Sequence, residues 1–402
     1  MSDAKLFYFH EVAEFKKGIN YTSKDYCELG TGIPFVSIKC LEKGGGLDLS
    51  GIKYVTDRFK EEDKLNEGDL LFSVTDLTRD GDIVGSPLII TRKIRGSVAS
   101  MDMMRVITNK DLVDNTYLFY LMMTKECRSY FVNHSSGSTV LHLEISSIPQ
   151  LRLKLPYINT QRKIARILLS IDGQIENTEA IIAKYQAVKQ SMLQDLFTRG
   201  IDANTGQLRP SYEDAPDLYK DSPLGMIPEE WCYTTIGDVL TLQRGIDITS
   251  KDFVKGSVPV YSSSGLQGYH NKSIANGPGV ITGRKGTLGK VYYSDLPYWP
   301  HDTTLWVKDF KGNNAKFIYY FLQDMDLSKH DEATANPTLN RNNVHPLKII
   351  FPMQYEEQVL IAKSISSHVD RINIEIKSLS KLQLLKQGLM QDLLSGEVVV
   401  TA

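Results

Sequence analysis

The chain has four cysteines among 402 residues, and they form no C-x-x-C pair. Cys27, Cys40, Cys127 and Cys232 are scattered, which suits neither a zinc site nor a disulfide framework and fits a reducing, cytoplasmic setting. Long apolar runs are missing too: none approaches the roughly 18 residues that span a bilayer. The opening MSDAKLFYFHEVAEF has no basic end followed by an apolar stretch, so it is read as carrying no signal peptide. Net positive charge is also lacking. The formal charge is −2, so any nucleic-acid-binding face must be local. Complete catalytic motifs are absent. GRKGTLGK resembles a phosphate loop, but no glycine stands five residues before Gly289, and Val291 replaces the Ser or Thr such a loop needs. DLPY, from Asp295, is one residue away from the D-P-P-Y of amino-methyltransferases, and Leu296 breaks it. His270, His301, His330 and His345 show no ligand spacing; His301–Asp302 reads as a hydrogen-bonded loop pair, and no nuclease carboxylate cluster stands out. These absences argue against an enzyme and against a metal centre in this chain.

What is present is a duplication. GINYTSKDY begins at Gly18 and GIDITSKDF at Gly245, 227 positions later. A second block recurs in the same order: QRKIARILLSIDGQIENTEAIIAKYQAVKQSMLQDL from Gln161 and QVLIAKSISSHVDRINIEIKSLSKLQLLKQGLMQDL from Gln358, shifted by 197. Each follows a strand-like run ending in proline, LRLKLP to Pro156 and LKIIFP to Pro352. Two matched blocks in one order are not a chance match. A weaker correspondence pairs Asp102 with Asp302. The chain therefore reads as unit, tract, unit, tract, with boundaries at 1–156, 157–199, 228–352 and 353–396. A Gly-, Pro- and Asp-rich connector without periodicity covers 200–227.

The tracts carry a 4-3 apolar spacing. In the first it runs through Ile164, Leu168, Ile171, Ile175, Thr178, Ile182, Tyr185, Lys189, Met192 and Leu196. In the second it runs through Ile361, Ile365, His368, Ile372, Glu375, Leu379, Leu382, Lys386, Leu389 and Leu393. That is a coiled-coil seam over nearly five heptads. No proline interrupts either tract, and Gly200 and Gly396 stand where helix ends want glycine. One such helix leaves its seam exposed, so the two are expected to pair, antiparallel, giving approximate two-fold symmetry. Each unit mixes short strands (GDLLFSV, SPLIITRK, PGVITG, GKVYYS) with helices (NTYLFYLMMTKECRSYFV, NNAKFIYYFLQDM). The expected fold is α+β: two globular recognition domains joined by two long antiparallel coiled-coil helices.

The second unit has the clearer surface signal. From Thr241 to Lys290 it carries Arg244, Lys251, Lys255, Lys272, Arg284, Lys285 and Lys290 against Asp247 and Asp252, with Tyr261, Tyr269, His270 and Asn271 interleaved. Phosphates need cationic and hydroxyl donors, and base edges need Arg, Lys, Asn, Gln or Ser at loop tips. The first unit's loop, SVTDLTRDGDIVGS, has Ser73, Thr75, Thr78 and Arg79 among several aspartates. The units share a frame and differ at their tips.

Together the QDL tracts, the LP…Q…IA helix entries, the linker TRGID…DSPLGMIPEEW and the run GYHNKS…GPGVITGRKGTLGKVYY…WPHDTT resemble a specificity subunit of type I restriction–modification systems, over nearly the whole chain. One departure is the first helix entry, PYINTQRKIA, where the family usually has two prolines and glutamates. The resemblance implies a non-catalytic subunit in which each target-recognition domain reads one half of a split double-stranded DNA site. The helix pair would set the half-site spacing and dock two modification (N6-adenine methyltransferase) subunits, joined by restriction (motor–nuclease) subunits. S-adenosylmethionine, ATP and magnesium would sit on those partners, none on this chain. The residues expected to contact DNA are Lys251, Tyr261, Ser263, Arg284, Lys285, Lys290 and Thr303 in the second unit, and Lys24, Thr75, Thr78 and Arg79 in the first. The rival reading is a duplicated coiled-coil scaffold that binds proteins without reading DNA.

Overall fold

The computed structural model describes residues 4–78, 80–330 and 338–398. The chain divides into two units, and both divisions fall inside the long helices: Met1–Glu179 with Ser378–Ala402, and Ala180–Lys377.

In the first unit a four-stranded antiparallel sheet runs in the order Ala13–Lys17, Met103–Thr108, Leu70–Ser73, Pro87–Ile89. A three-stranded sheet beside it pairs Ile33–Val36 antiparallel with Lys53–Val55 and parallel with Val98–Ala99. Lys5–Tyr8 pairs with Arg152–Leu155 and brings the chain to the start of the first long helix. The main core joins Leu70 and Phe72 of the sheet, Tyr117, Leu118, Tyr120 and Phe131, and the helix residues Ile164, Leu168, Leu393 and Leu394.

The second unit repeats this topology. Its four-stranded sheet runs Thr241–Arg244, Thr304–Asp309, Gly279–Gly283, Val291–Ser294. Val258–Ser262 pairs antiparallel with Gly265–His270 and parallel with Trp299–Pro300. Trp231–Thr235 pairs with Lys348–Pro352. Leu242, Val280, Leu305, Phe317 and Ile318 pack with Leu196, Ile361 and Ile365 of the long helices.

The tracts are helices over Ile158–Thr198 and Tyr355–Ser395, 41 residues each, or about 60 Å at 1.5 Å per residue. Every residue of the expected seam is buried or half-buried. The pairing is antiparallel in each unit. In the first, Lys386 Nζ lies 2.7 Å from an Asp172 carboxylate oxygen, which also accepts from Tyr120 Oη at 2.6 Å on its other oxygen. In the second, the His368 ring meets Tyr185 edge-on, and its Nε2 lies 3.0 Å from the Tyr185 carbonyl oxygen. Gly200 and Gly396 end the helices with φ of +65° and +78°, the left-handed conformation that closes a helix without a Cβ penalty.

Both helix entries are latched by the repeated glutamine. Gln161 Nε2 donates to the carbonyls of Pro156 and Leu112, and its Oε1 accepts from Asp114 N–H. Gln358 does the same with Pro352, Asn313 Oδ1 and Asn314 N–H. Both side chains are fully buried, so each amide satisfies groups that water cannot reach. The LP…Q…IA pattern is thus a splice between strand, helix cap and long helix.

Two expectations need correction. The run expected as one helix from Asn115 is two, Asn115–Met122 and Lys125–Asn133; Thr124 Oγ1 donates back to the Leu121 carbonyl at 2.7 Å and marks the break. The connector is not featureless either. Arg209 within it is 6% exposed and forms an ion pair with the buried Glu357, which also accepts from Ile201 N–H and Trp231 Nε1–H at 3.0 Å each. The connector is pinned to the first turn of the second long helix. In the first helix the place of Glu357 is held by Thr160, where the entry departs from the glutamate pattern.

Candidate nucleic-acid interface

The repeated nine residues are explained by the backbone. Gly18 N–H donates to Met103 O (2.9 Å) and Ile19 N–H to Ala99 O (2.8 Å); Gly245 N–H donates to Thr304 O (3.0 Å) and Ile246 N–H to Pro300 O (2.8 Å). A Cβ on Gly18 would stand 2.0 Å from Ser100 O, and one on Gly245 2.1 Å from His301 O, so only glycine fits the crossing. The following Thr-Ser-Lys-Asp closes a capped turn in each unit. Asp25 accepts from Thr22 N–H (2.7 Å) and Asp252 from Thr249 Oγ1 (2.7 Å). The capped turns leave Lys24 and Lys251 exposed. Asp25 is also gripped by Arg58, whose hydrogen bonds hold its carboxyl well below the usual carboxylate range.

At the tip of the second unit the chain gathers five of its expected contact residues. Thr303 O accepts from Arg284 N–H (2.8 Å) and Lys285 N–H (3.1 Å). Thr303 Oγ1 accepts from Ser263 N–H (3.2 Å) and lies 2.9 Å from His301 Nδ1. Ser263 O accepts from Tyr292 Oη, and the Tyr292 ring stacks on Tyr261. Lys290 lies elsewhere, in a groove with Lys189, Gln190 and Leu193 of the first long helix.

Beside this tip a cavity of about 1000 Å³ is lined by Arg244, Arg284, Lys308 and Arg341, with Asp247 and Asp302 among them. Arg244 Nη2 is 2.8 Å from Asp302 Oδ2, and Arg284 Nε donates to the Asp302 carbonyl at 3.1 Å. Burial, then the Arg244 charge, pushes the Arg284 pKa down. His301 lies 3.2 Å from Asp302, the neighbour the sequence paired it with, and 3.4 Å from Asp247, which the sequence did not connect to it. Lys308 and Arg341 were not among the sequence candidates. A bridge between Lys285 and Thr338 brings the Arg341 segment here, and no local spacing could have signalled it.

The first unit's tip is built on the same frame from different residues. Val74 N–H donates to Asp102 O at 2.8 Å, as Arg284 does to Thr303. Asp102 therefore matches Thr303, not Asp302; the weak sequence match was off by one. Thr75 matches Lys285, since Thr75 faces His142 across the sheet as Lys285 faces Thr338. Thr75 is buried, its Oγ1 donating to Asp102 at 3.1 Å. Thr78 Oγ1 donates to Asp76 at 2.8 Å. Asp76 also accepts from the Ile83 and Val84 N–H groups; burial alone would raise its carboxyl, but these bonds hold it below its ordinary value. Both threonine hydroxyls are thus engaged internally, and Arg79 lies outside the described residues.

A duplicated α+β module, each copy packed on paired antiparallel helices and presenting its own polar tip, defines a protein of two related units with unlike surfaces. Residues 1–186 and 228–386 match the model of the type I restriction modification DNA specificity domain, and the chain belongs to that family. It is 23% identical over 365 residues to the type I restriction enzyme MjaVIII specificity subunit of Methanocaldococcus jannaschii, covering 84% of this chain and 80% of that protein. It is also 23% identical to the putative MjaX specificity subunit of the same organism, covering 92% and 88%. Among solved structures it superposes on the S subunit of a type I restriction–modification system from M. genitalium with a TM-score of 0.66 at 16% identity, covering 98% of this chain and 96% of that one. The chain is the DNA-recognition component of such a system and carries no catalytic role. No helix among the described residues is long and apolar enough to cross a membrane.

Proposed function

We propose that each unit reads one half of a bipartite site on double-stranded DNA, and that the helix pair sets the distance between the halves. The observation that carries this reading is the frame-and-tip contrast. Hydrogen bonds align Val74, Thr75 and Asp102 with Arg284, Lys285 and Thr303, so one scaffold presents two unlike surfaces, as two half-sites of different sequence require. In the second unit Tyr261, Ser263, Arg284, Lys285 and Thr303 form the contact surface, extended by Arg244, Lys308 and Arg341 of the adjoining cavity; Lys251 and Lys290 serve as outlying phosphate contacts. In the first, Lys24 and Arg79 are the contributors, while Thr75 and Thr78 shape the loop. The long helices dock two N6-adenine methyltransferase subunits, with restriction subunits completing a cytoplasmic complex. S-adenosylmethionine, ATP and magnesium belong to those partners, which flip and modify the target base. The scaffold alternative leaves the convergence of cations at the second tip without a purpose.

Methylation-sensitive sequencing of host DNA, with and without this gene, tests the reading. The expected result is a two-part adenine-methylated motif that disappears on deletion. A methylome unchanged by deletion would overturn it.

A further inference from the structure

Resting on the reading of the second unit as a DNA reader, we infer that Arg284 recognises a guanine through its two Nη groups, and that the first unit lacks the counterpart of this contact. Arg284 directly follows the strand Gly279–Gly283, and its N–H is tied to the Thr303 carbonyl. Its Nε donates to the Asp302 carbonyl at 3.1 Å. That bond fixes the guanidinium plane and occupies the one lateral donor. Among the described residues no ion pair or hydrogen bond engages Nη1 or Nη2, so an end-on fork remains on the wall of the cavity. Burial has already stripped part of its hydration, as the lowered pKa reflects. A planar fork of this kind matches O6 and N7 of guanine, which lie side by side in the major groove.

A phosphate is the rival acceptor, and the geometry of the fork favours a base edge over it. The Asp302 carboxylate stands on the same wall, holding Arg244 at 2.8 Å, and Asp247 is exposed nearby. Lys308 and Arg341 line the same cavity and suit phosphates as simple cations, whereas the Arg284 fork, oriented through Nε, suits the two adjacent acceptors of a guanine edge. Arg244 has one arm of its fork, Nη2, claimed by Asp302, whereas the bond from Arg284 is through Nε and leaves both Nη groups for a ligand. In the first unit the aligned residue is Val74, buried and without a side-chain donor. The guanine contact is therefore specific to the half-site read by the second unit.

The test uses the full chain assembled with its partner subunits and duplexes carrying its own recognition motif. Each guanine is replaced in turn by 7-deazaguanine, which removes N7 alone. The wild-type complex is expected to lose affinity at one guanine, by a part of the about 5- to 150-fold that a complete bidentate pair supplies. With Arg284→Ala, or Arg284→Gln should the alanine variant fail to assemble, that same replacement costs nothing further. The inference is overturned if the variants remain as sensitive as wild type at every guanine, or if the wild type is sensitive at none. It is equally overturned if they weaken binding to all sequences alike and lower the salt slope by about one, the mark of a phosphate contact. A wild-type complex that binds every duplex equally would instead defeat the DNA-reading assignment itself.

Discussion

Glu357 concentrates more structure than any candidate contact residue. It is fully buried and serves Arg209, Trp231 Nε1 and Ile201 N–H at once. Removing it leaves the Trp231 and Ile201 donors without an acceptor and the buried Arg209 guanidinium with only the Arg199 carbonyl and the part-exposed Glu230, and unpairing one side of a buried ion pair costs about 3–5 kcal/mol. Glu357→Ala is expected to lower unfolding stability in urea by that amount; a change below about 1 kcal/mol would contradict the clasp. His345 makes a second prediction. Its Nε2 accepts from Leu242 N–H at 2.9 Å, which requires the neutral ring. Burial, then Arg341 and Lys311, lowers its pKa below 6.5. The folded state thus binds the proton more weakly than the unfolded chain. Its contribution is complete above pH 6.5 and is lost as pH falls from there toward the folded value. Denaturant titrations from about pH 7.5 to about 5.5 should show this loss in the wild type and less of it in His345→Asn; identical slopes would refute it.

At the scale of elements, the long helices are held by their seam rather than by propensity. Ile365 is fully buried and Ile374 is 63% exposed on the same helix. Ile365→Ala is expected to cost about 2–5 kcal/mol, and Ile374→Ala within about 0.5 kcal/mol of nothing. Chemical denaturation compares the two, and similar losses would place the seam elsewhere. The seam was legible from the 4-3 spacing, because a helix repeats its face at intervals a sequence displays directly. Its polar interruptions were legible as interruptions but not as contacts. Lys386 is expected by repeat to correspond to Lys189, yet antiparallel packing sets it against Asp172. The break between Met122 and Lys125 was hidden in a continuous helix-compatible run, since no glycine or proline announces it.

At the scale of the whole molecule, each unit carries its own core, one around Phe72 and Tyr117, the other around Leu242 and Phe317. Residues 228–352 lie outside both long helices. Exchanging that stretch for its counterpart from a related chain should change one half of the methylated motif and keep the other, as read by sequencing of methylated host DNA. A change in both halves would show that the units do not read independently. Among the described residues the duplication holds in sheet order, in the glycine crossings and in the glutamine latches, while the tips diverge.

The sequence by itself determined the duplication, the paired helices and the basic bias of the second tip, because repeats, heptads and local charge are written along the chain. The tertiary structure alone decided which cations meet. Arg341 joins Arg244 and Arg284 through a strand bridge, Lys290 lines a separate groove, and Asp102 aligns with Thr303. Those outcomes depend on hydrogen-bond register between segments far apart in sequence, and a shift of one residue in that register sends a side chain to the opposite face.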